Sequence, residues 1–217
     1  MGLAVTRPRY GARVRTATAA DAPAVRTLLA RAFADDPLMR WMFPAPRFPD
    51  APARAEAIAA YVGLHVERYL TALSGGLVVE RDGEVTAAAL WRGPDEDLAT
   101  PGVLPTAGGL LTALIGAEHV ATVAAGFAAE RAVRPAGPHA YLHYLGVDAA
   151  HRGRGDARRL VDAGLARASA AGVPALVETT NPTNVPLYEH LGFAQVASVP
   201  LGDGPTVWIL TTAGAAR

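Results

Sequence analysis

The sequence predicts an α/β fold, a single domain whose central twisted mixed sheet has about six or seven strands and carries helices on both faces. Strand-like and helix-like segments alternate along most of the chain, an order typical of sheets covered on both sides. The length of 217 residues is near the upper end for one domain. Hydrophobic residues make up 51% of the chain, which excludes a disordered protein.

The first strand and helix follow from a change of period. Residues 12–16 alternate between apolar and polar side chains and predict a strand. Thr18 or Asp21 is expected to cap the next helix, because either side chain accepts hydrogen bonds from a first helical turn. That helix repeats apolar residues on one face, namely Val25, Leu28, Leu29 and Phe33.

A proline-rich stretch follows. Residues 35–52 contain five prolines and are predicted to form a loop. Trp41, Met42 and Phe43 lie inside it, and the sequence leaves open whether this apolar cluster fills the core or lines a pocket. A helix is then predicted over 53–73, followed by two strands at 76–81 and 84–91, since Asp82-Gly83 is a strong two-residue hairpin signal.

The next segment is long and apolar. Residues 103–129 approach the length of a membrane span, but Glu118 and His119 stand at the middle and favour a water-soluble helix. Leu110, Leu111 and Leu114 recur at helical spacing. One helix is therefore predicted from about residue 107 to about residue 132.

The last third of the chain returns to alternating strands and helices. Gly172 is expected to stop the first of its helices. The predicted strands cover 141–147, 175–179, 194–201 and 206–212, and the predicted helices cover 154–171 and 184–191.

Composition restricts the function. The twenty basic residues, all arginine, balance twenty acidic ones, which argues against nucleic-acid or membrane binding by bulk charge. Any phosphate must be held locally. The absence of cysteine removes cysteine nucleophiles and thiolate metal sites. The N-terminus shows no secretory signal, so a cytoplasmic protein is expected.

The most informative segment joins the 141–147 strand to the next helix. A strand, a turn rich in glycine and arginine, and a helix start together present backbone N–H groups and a positive dipole end to an anion. The residues are His151-Arg152-Gly153-Arg154-Gly155-Asp156-Ala157. This is neither a P-loop, which needs a lysine, nor the dinucleotide-binding fingerprint, whose glycines are spaced differently. The sequence predicts a phosphate-binding turn.

These residues, together with Glu178 and the run Asn-Val-Pro-Leu-Tyr-Glu-His-Leu-Gly-Phe at 184–193, resemble the motif set of the GNAT superfamily of N-acetyltransferases. Within it the chain most resembles puromycin N-acetyltransferase and its actinobacterial relatives. The resemblance is strong over 141–193, recurs around Phe33-Ala34-Asp35 and Trp208, and is thin over 37–138. It implies a single GNAT domain over 1–217, with an acceptor half at about 12–138 and an acetyl-CoA half at about 139–212.

The resemblance also implies positions for acetyl-CoA. Backbone groups of Leu145 and Val147 would bind the pantetheine arm, and Asn184 would contact the molecule beside the thioester. The pyrophosphate would lie on Arg152, Gly153, Arg154, Gly155 and Ala157. Asp156 departs from the family pattern, which has an apolar or small residue there. Its carboxylate would either repel the pyrophosphate or cap the helix from outside, and capping is favoured.

Transfer of an acetyl group to an amine needs a base for the amine and an acid for the departing thiolate. Tyr188, which the resemblance places near the sulfur, is the candidate acid. Glu178, on an apolar strand, is the candidate base through a water, with a raised pKa expected from burial. A structural carboxylate paired with arginine is an equally weighted interpretation. Backbone N–H groups near residues 145–147 are expected to bind the oxyanion, with Gly146 permitting a bulge.

Substrate contacts are assigned less directly. Alternation places Tyr141 and His143 on one face with Leu145, so either could face the acceptor, and His143 could relay the amine proton, though it ranks below Glu178. Trp41 is a further substrate candidate. The histidines show no metal-ligand spacing, and no metal is expected.

The leading hypothesis is transfer from acetyl-CoA to a primary amine of a small molecule, such as an antibiotic or metabolite, within a ternary complex. A protein or peptide acceptor would need an open acidic groove, and Asp95, Glu96 and Asp97 form the only acidic cluster. A module that binds acyl-CoA without catalysis is the third hypothesis. A homodimer is a family-level expectation.

Overall fold

The computed structural model describes residues 11–45, 47–48, 50–73, 75–97 and 104–213. Its strands are β1 Arg13–Thr16, β2 Gly76–Arg81, β3 Glu84–Arg92, β4 Ala140–Val147, β5 Ala175–Thr179, β6 Ala194–Pro200 and β7 Thr206–Thr211. Its α-helices are α1 Ala22–Ala32, α2 Pro37–Met42, α3 Ala51–Thr71, α4 Ala107–Ile115, α5 Ala117–Val133, α6 Asp156–Ala170 and α7 Val185–His190. Short 3₁₀ segments cover Ala19–Asp21, Ala149–His151 and Pro182–Asn184.

The strands form one mixed sheet in the order β1-β2-β3-β4-β5-β7-β6. Only β4 and β5 run parallel, and α6 crosses between them, while the other neighbours are antiparallel. The predicted α/β class with a mixed sheet of six or seven strands is confirmed. The parallel pair therefore lies where the predicted phosphate-binding turn leaves the sheet, because that turn connects β4 to α6.

Two apolar clusters cover the two faces of the sheet. One packs α1, α2 and α3 against residues such as Val78, Leu90 and Tyr144. The other packs α6 and α7 against residues such as Val79 and Leu142. Helices on both faces agree with the prediction, and they hold the β4–β5 pair from either side.

Several local predictions are confirmed. Asp82 and Gly83 adopt positive φ values of 51° and 85° in the β2–β3 hairpin, as a two-residue turn of this sequence requires. Gly172 has a φ of 67° just beyond α6. Asp21 occupies the N-cap position of α1 as expected, but its side chain accepts no hydrogen bond from that helix; it accepts instead from the Thr18 N–H, in a capping box around the preceding 3₁₀ turn.

Two predictions were wrong. The stretch 35–52 is not wholly a loop, because α2 lies within it: Asp36 caps that helix by accepting the Leu38 amide at 2.9 Å, and proline at the first helical position is preorganised for a helix. The single helix over 107–132 is two helices, α4 and α5. Gly116 separates them with φ 82° and ψ 153°, a non-helical conformation that glycine adopts readily because it has no Cβ.

The apolar cluster within that stretch fills the core. Met42 and Phe43 are buried among α3 and its neighbours. The packing interpretation holds for Phe43, whereas Met42 is buried and also lines a cavity. Within the described residues, no helix is both long enough and apolar enough to cross a bilayer.

Candidate active site

A gap opens between the two parallel strands. β4 and β5 pair from Ala140 with Ala175 to Leu142 with Val177, and no pairing follows beyond that point. On its other side β4 pairs with β3, where Leu90 faces Tyr144 and Trp91 faces Leu142. His143 is therefore an extra residue on β4. The bulge predicted at Gly146 lies at His143 instead, and the strands diverge from there.

The bulge changes which residues share a face. Alternation predicted Tyr141, His143 and Leu145 on one side, and this is wrong for Leu145. An extra residue shifts the alternation by one. Leu145 packs with Val147 against the α6 cluster, whereas the His143 ring lies 5.7 Å from Tyr69 of α3 and 5.5 Å from Tyr141.

Gly146 serves close packing. A Cβ placed on it would lie 2.8 Å from a Leu29 methyl and 3.1 Å from the Ala32 Cβ. Helix α1 therefore approaches the backbone of β4 at this point, which positions the chain that follows α1 beside the gap.

The gap leads into a cavity of about 710 Å³, here called the cradle cavity. It is lined by the end of β4, the turn that precedes α6, the segment after α1, and α7. The predicted acetyl-CoA-contacting residues among its lining are Leu145, Val147, Arg152, Gly153, Gly155, Ala157 and Asn184, and Tyr188 lines it as well. The structure therefore brings these residues together at one place.

The turn before α6 has the form of an anion cradle. Gly153 and Gly155 have φ values of 75° and 78°, and nothing lies within 4 Å of a Cβ placed on either. The first turn of a helix presents N–H groups that have no partner within the helix, and α6 begins at Asp156. These groups and the Arg152 side chain fit a pyrophosphate.

Arg154 is placed differently from its prediction. It does not line the cradle cavity, and its guanidinium donates to the Ala150 carbonyl at 3.3 Å. Arg158, one turn into α6, lines the cavity and donates to the His190 carbonyl at 2.9 Å. The sequence pattern missed Arg158 because it lies inside the helix rather than in the turn.

Asp156 is neither a cap nor an unpaired charge. Gly155 is the N-cap, and the Asp156 side chain is buried. Arg81 at the end of β2 donates to both carboxylate oxygens, at 3.0 and 2.6 Å. The capping interpretation was wrong, since the chain supplies a counter-ion from another strand.

A second cavity of about 150 Å³ lies between α2, α3, α5 and the sheet. Its walls are mainly aromatic or apolar, and it is here called the aromatic cavity. They include Met39, Met42, Tyr61, Phe127, Tyr141, His143, Tyr144 and Val207. Two carboxylates also line it, those of Asp36 and Glu178.

The two cavities share part of their lining. The shared residues are Phe33, Asp36, Leu145, Asn184 and Tyr188. A molecule in one cavity would therefore meet a molecule in the other at a junction that holds one carboxyl group and one phenol.

Tyr188 is buried on α7, and its ring packs edge-on to Phe193 at 6.0 Å. Burial, and secondarily the charge of Asp36, raise the pKa of its phenol. Tyr188 is therefore protonated at neutral pH and able to donate. Asn184 begins this helix and donates to the Thr179 hydroxyl at 3.3 Å, which ties the helix to the end of β5.

Asp36 is the carboxylate at the junction, and it was not among the site residues predicted from the sequence. It accepts hydrogen bonds from the Leu38 amide at 2.9 Å and the Thr180 hydroxyl at 3.1 Å. Burial raises the pKa of its carboxyl, although these hydrogen bonds oppose the rise. The available signal was a capping aspartate before proline, which reads as structural.

Glu178 is paired. Arg134, just after α5, donates to both of its carboxylate oxygens at 2.8 and 2.7 Å, and the Tyr141 hydroxyl donates at 3.0 Å. Burial alone would raise the pKa of Glu178, but its hydrogen bonds with Arg134 and Glu130 outweigh burial and lower it. The expected raised pKa was wrong.

His143 lines the aromatic cavity, and its Nδ1 lies 3.1 Å from the Tyr69 hydroxyl. Burial, reinforced by the nearby His65, lowers its pKa well below the ordinary range, so the ring is neutral. Trp41 lies outside this cavity. Its ring packs against Gly126 and Gly204 and donates to Asp203 at 3.2 Å, which fastens α2 to α5 and the β6–β7 turn.

Known proteins match this architecture. The model of the acetyltransferase (GNAT) family matches residues 36–193. A solved structure from Corynebacterium glutamicum, described as histone acetyltransferase HPA2 and related acetyltransferase, is similar at 26% identity over 96% of this chain and 99% of that one, with a TM-score of 0.66. A polyamine N-acetyltransferase of Drosophila melanogaster is 20% identical over 93% and 99% of the chains, with a TM-score of 0.52. A mosquito arylalkylamine N-acetyltransferase-like protein is 13% identical over 93% and 99%, with a TM-score of 0.56.

The family match over residues 36–193 shows that the chain is an acetyltransferase. The chain belongs to the acetyltransferase (GNAT) family. Members of this family generally use acetyl-CoA as the acetyl donor. Among the described residues, no group of three or more histidine, aspartate and glutamate side chains is placed to hold a metal ion.

Proposed function

We propose that this protein transfers the acetyl group of acetyl-CoA to a primary amine of a small molecule, by direct transfer in a ternary complex. The observation that carries the proposal is the junction of the two cavities, where Asp36 and Tyr188 lie on the lining of both. Acetyl-CoA supplies an activated thioester there. The cradle cavity would hold it, with its pyrophosphate on Arg152 and the first-turn amides of α6.

Two residues at the junction match the proton transfers that amide formation needs. Asp36 accepts a proton from the substrate ammonium, which frees the nitrogen lone pair to attack the thioester carbonyl. Tyr188 donates its phenolic proton to the sulfur as the carbon–sulfur bond breaks, so CoA leaves as the thiol. The second proton that the nitrogen loses on becoming an amide returns to the Tyr188 phenolate, and Asp36 passes its proton to solvent. A base works best when its pKa approaches the working pH, and burial moves the pKa of Asp36 in that direction. The chain has no cysteine to carry an acetyl group, which supports direct transfer.

Glu178 is the other candidate base. Glu178 lines the aromatic cavity but not the cradle cavity. Its pKa is lowered, and Arg134 donates hydrogen bonds to both of its carboxylate oxygens. These features favour Asp36 as the base and give Glu178 a role in shaping the acceptor site. A small acceptor is favoured over a protein segment, because the aromatic cavity holds only about 150 Å³. An antibiotic-like amine such as puromycin would place only its amine-bearing part in this cavity, and the amine panel below includes it.

The test is acetyl-CoA binding by calorimetry, followed by thiol release with a panel of amines that includes puromycin, aminoglycosides, polyamines, simple alkylamines and short peptides. Micromolar binding and release with a small amine are expected. Arg152→Gln should weaken binding about fivefold, a fraction of the strength of a charge-assisted phosphate contact. Arg154→Gln, the matched control outside the cavity, should not.

Release only with peptides would contradict the small-molecule acceptor. Binding without release for any amine would contradict catalysis and favour an acyl-CoA-binding module.

A further inference from the structure

Glu178, one of the two carboxylates that line the aromatic cavity, forms an ion pair with Arg134 of the protein itself. Arg134 approaches Glu178 with its fork of N–H groups, and the two contacts at 2.8 and 2.7 Å use both carboxylate oxygens. The Tyr141 hydroxyl fills a further acceptor position at 3.0 Å. Glu178 is about 10% exposed, so little of it remains available to another cation.

Arg134 is held in this position from several sides. Its guanidinium carbon lies 4.7 Å from the centre of the Tyr141 ring, and its Nε lies 3.0 Å from Glu130. The carboxyl groups of Glu130 and Glu178 are also neighbours. Burial, then the hydrogen bond and charge of Glu178, raise the pKa of Glu130 to about 8. With Glu130 protonated, the positive Arg134 and the negative Glu178 leave this cluster uncharged.

Asp36 is the other carboxylate of the cavity, and it differs from Glu178. Its hydrogen-bond partners among the described residues are neutral, namely the Leu38 amide and the Thr180 hydroxyl. Asp36 lies at the junction and lines both cavities, whereas Glu178 lines only the aromatic cavity. The cavity therefore offers one negative charge without a cationic partner, placed at the reacting end. Apart from these two carboxylates its wall is uncharged and mainly aromatic or apolar, with Thr179, Thr180 and Asn184 as neutral polar members.

We propose that Arg134 determines acceptor specificity: by occupying Glu178 it restricts the acceptor to amines with a single positive charge and an apolar or aromatic body. A second cation on the acceptor would lose its hydration against apolar walls without gaining a carboxylate, which is costly. The built-in arginine thus excludes diamines. This inference rests on the proposed transferase function. It gives the chain an acceptor specificity different from that of polyamine acetyltransferases that share its fold.

A pair of acceptors of equal length tests the inference, because n-hexylamine and 1,6-diaminohexane differ only in the second amino group. The measurement is the ratio of their kcat/KM values. The wild-type protein is expected to prefer hexylamine by at least about 100-fold, the order expected for burying one unpaired charge. Equal rates, or a preference for the diamine, would overturn the proposal without any variant.

Removing the arginine should relax the restriction. Arg134→Met frees Glu178 and is expected to reduce the preference for hexylamine by about tenfold or more, by raising kcat/KM for the diamine. The matched control is Arg131→Met, which changes an exposed arginine in the last turn of α5, three residues before Arg134. It should leave the ratio unchanged. Arg134→Lys retains the cation and should retain most of the preference.

A double variant distinguishes a specific effect of Arg134 from misfolding caused by an unpaired buried carboxylate. Arg134→Met with Glu178→Gln removes both charges, so no carboxylate is left unpaired by the loss of arginine, and the preference for hexylamine is expected to return. If folded Arg134→Met kept the wild-type ratio, the assignment of specificity to Arg134 would be wrong.

Failure of the transferase proposal is distinguishable. If no amine releases thiol, calorimetric binding of the two amines in the presence of CoA replaces kcat/KM. Tighter binding of hexylamine to the wild-type protein, lost in Arg134→Met, would still support the inference, and equal binding of both amines would overturn it.

Discussion

The guanidinium of Arg81 and the buried carboxylate of Asp156 are joined by two hydrogen bonds of 3.0 and 2.6 Å. This ion pair connects the end of β2 to the first residue of α6, where the anion cradle begins. The pair explains how a carboxylate is accommodated beside the proposed phosphate site, because Arg81 compensates its negative charge.

Removing the arginine should therefore weaken acetyl-CoA binding. Arg81→Gln leaves Asp156 with only the longer contact to Arg159, at 3.8 Å, and an increase in Kd of up to roughly tenfold is expected from a largely uncompensated charge at an intermediate effective dielectric constant. Calorimetry checks this value. The double variant Arg81→Gln with Asp156→Asn should recover most of the affinity, and a Kd unaffected by Arg81→Gln would show that the pair does not influence the cradle.

Asp36→Asn should lower kcat/KM by about 10²- to 10⁴-fold, the range for loss of a general base. Acetyl-CoA affinity should change little, because the substitution preserves shape. In the wild-type protein kcat/KM should fall as pH drops through the pKa of Asp36, which burial raises from its ordinary value, since the protonated carboxyl cannot accept a proton.

Glu178→Gln is the comparison for Asp36→Asn. It should cost less than tenfold in kcat for hexylamine if Glu178 only shapes the acceptor site. A larger loss for Glu178→Gln than for Asp36→Asn would identify Glu178 as the base instead.

Glu130 should make stability depend on pH. Its folded-state pKa of about 8 lies above the ordinary value of about 4.3, so the folded protein binds this proton more tightly than the unfolded chain does. The buried His65 and His143, whose pKa values are lowered in the folded protein, act in the opposite sense up to the ordinary histidine pKa of about 6.5. The free energy of unfolding should therefore decrease as pH rises from about 6.5 to about 8. Urea unfolding across this range measures it.

Glu130→Gln keeps the neutral form of the side chain and should flatten that dependence. Glu118→Gln, at an exposed position of the same helix, is the control and should keep the wild-type slope. The same slope in both variants would contradict the assignment of the proton to Glu130.

Gly146→Ala should destabilise the fold at the gap between β4 and β5. The added methyl group would meet Leu29 at 2.8 Å, and overpacking of this kind costs about 1–3 kcal/mol. Gly108→Ala on α4 meets nothing within 4 Å and should be neutral or slightly stabilising, by up to about 1 kcal/mol. Equal melting temperatures for the two variants would contradict the close packing of α1 on β4.

Period and turn chemistry predicted most of the sheet. The hairpin at Asp82-Gly83 and the strand at 175–179 follow from local signals, and both are found where they were expected. The bulge at His143 was not predictable, because histidine carries no bulge signal and the extra residue is visible only when β3 and β4 are paired. Helix α2 was missed because prolines dominate its surroundings, although its capping residue Asp36 is a local signal.

The candidate site also has one part that was predictable from local sequence and one part that was not. The cradle residues are contiguous in sequence and were predictable as a group, Arg154 excepted. The aromatic cavity is assembled from α2, α3, α5 and three strands, so its members share no pattern along the chain. Arg134 and Glu178 are 44 residues apart, and their pairing reversed the pKa direction that a buried carboxylate alone would suggest.

Tyr188→Phe tests the central claim most directly, with acetyl-CoA binding and thiol release measured on the same sample. The account predicts that Kd stays within about threefold of the wild-type value while kcat falls by about 10²-fold or more, because only the proton donor for the sulfur is lost. An unchanged kcat with the same Kd would contradict the assignment of Tyr188 as the acid and, with it, the junction of the two cavities as the place of transfer.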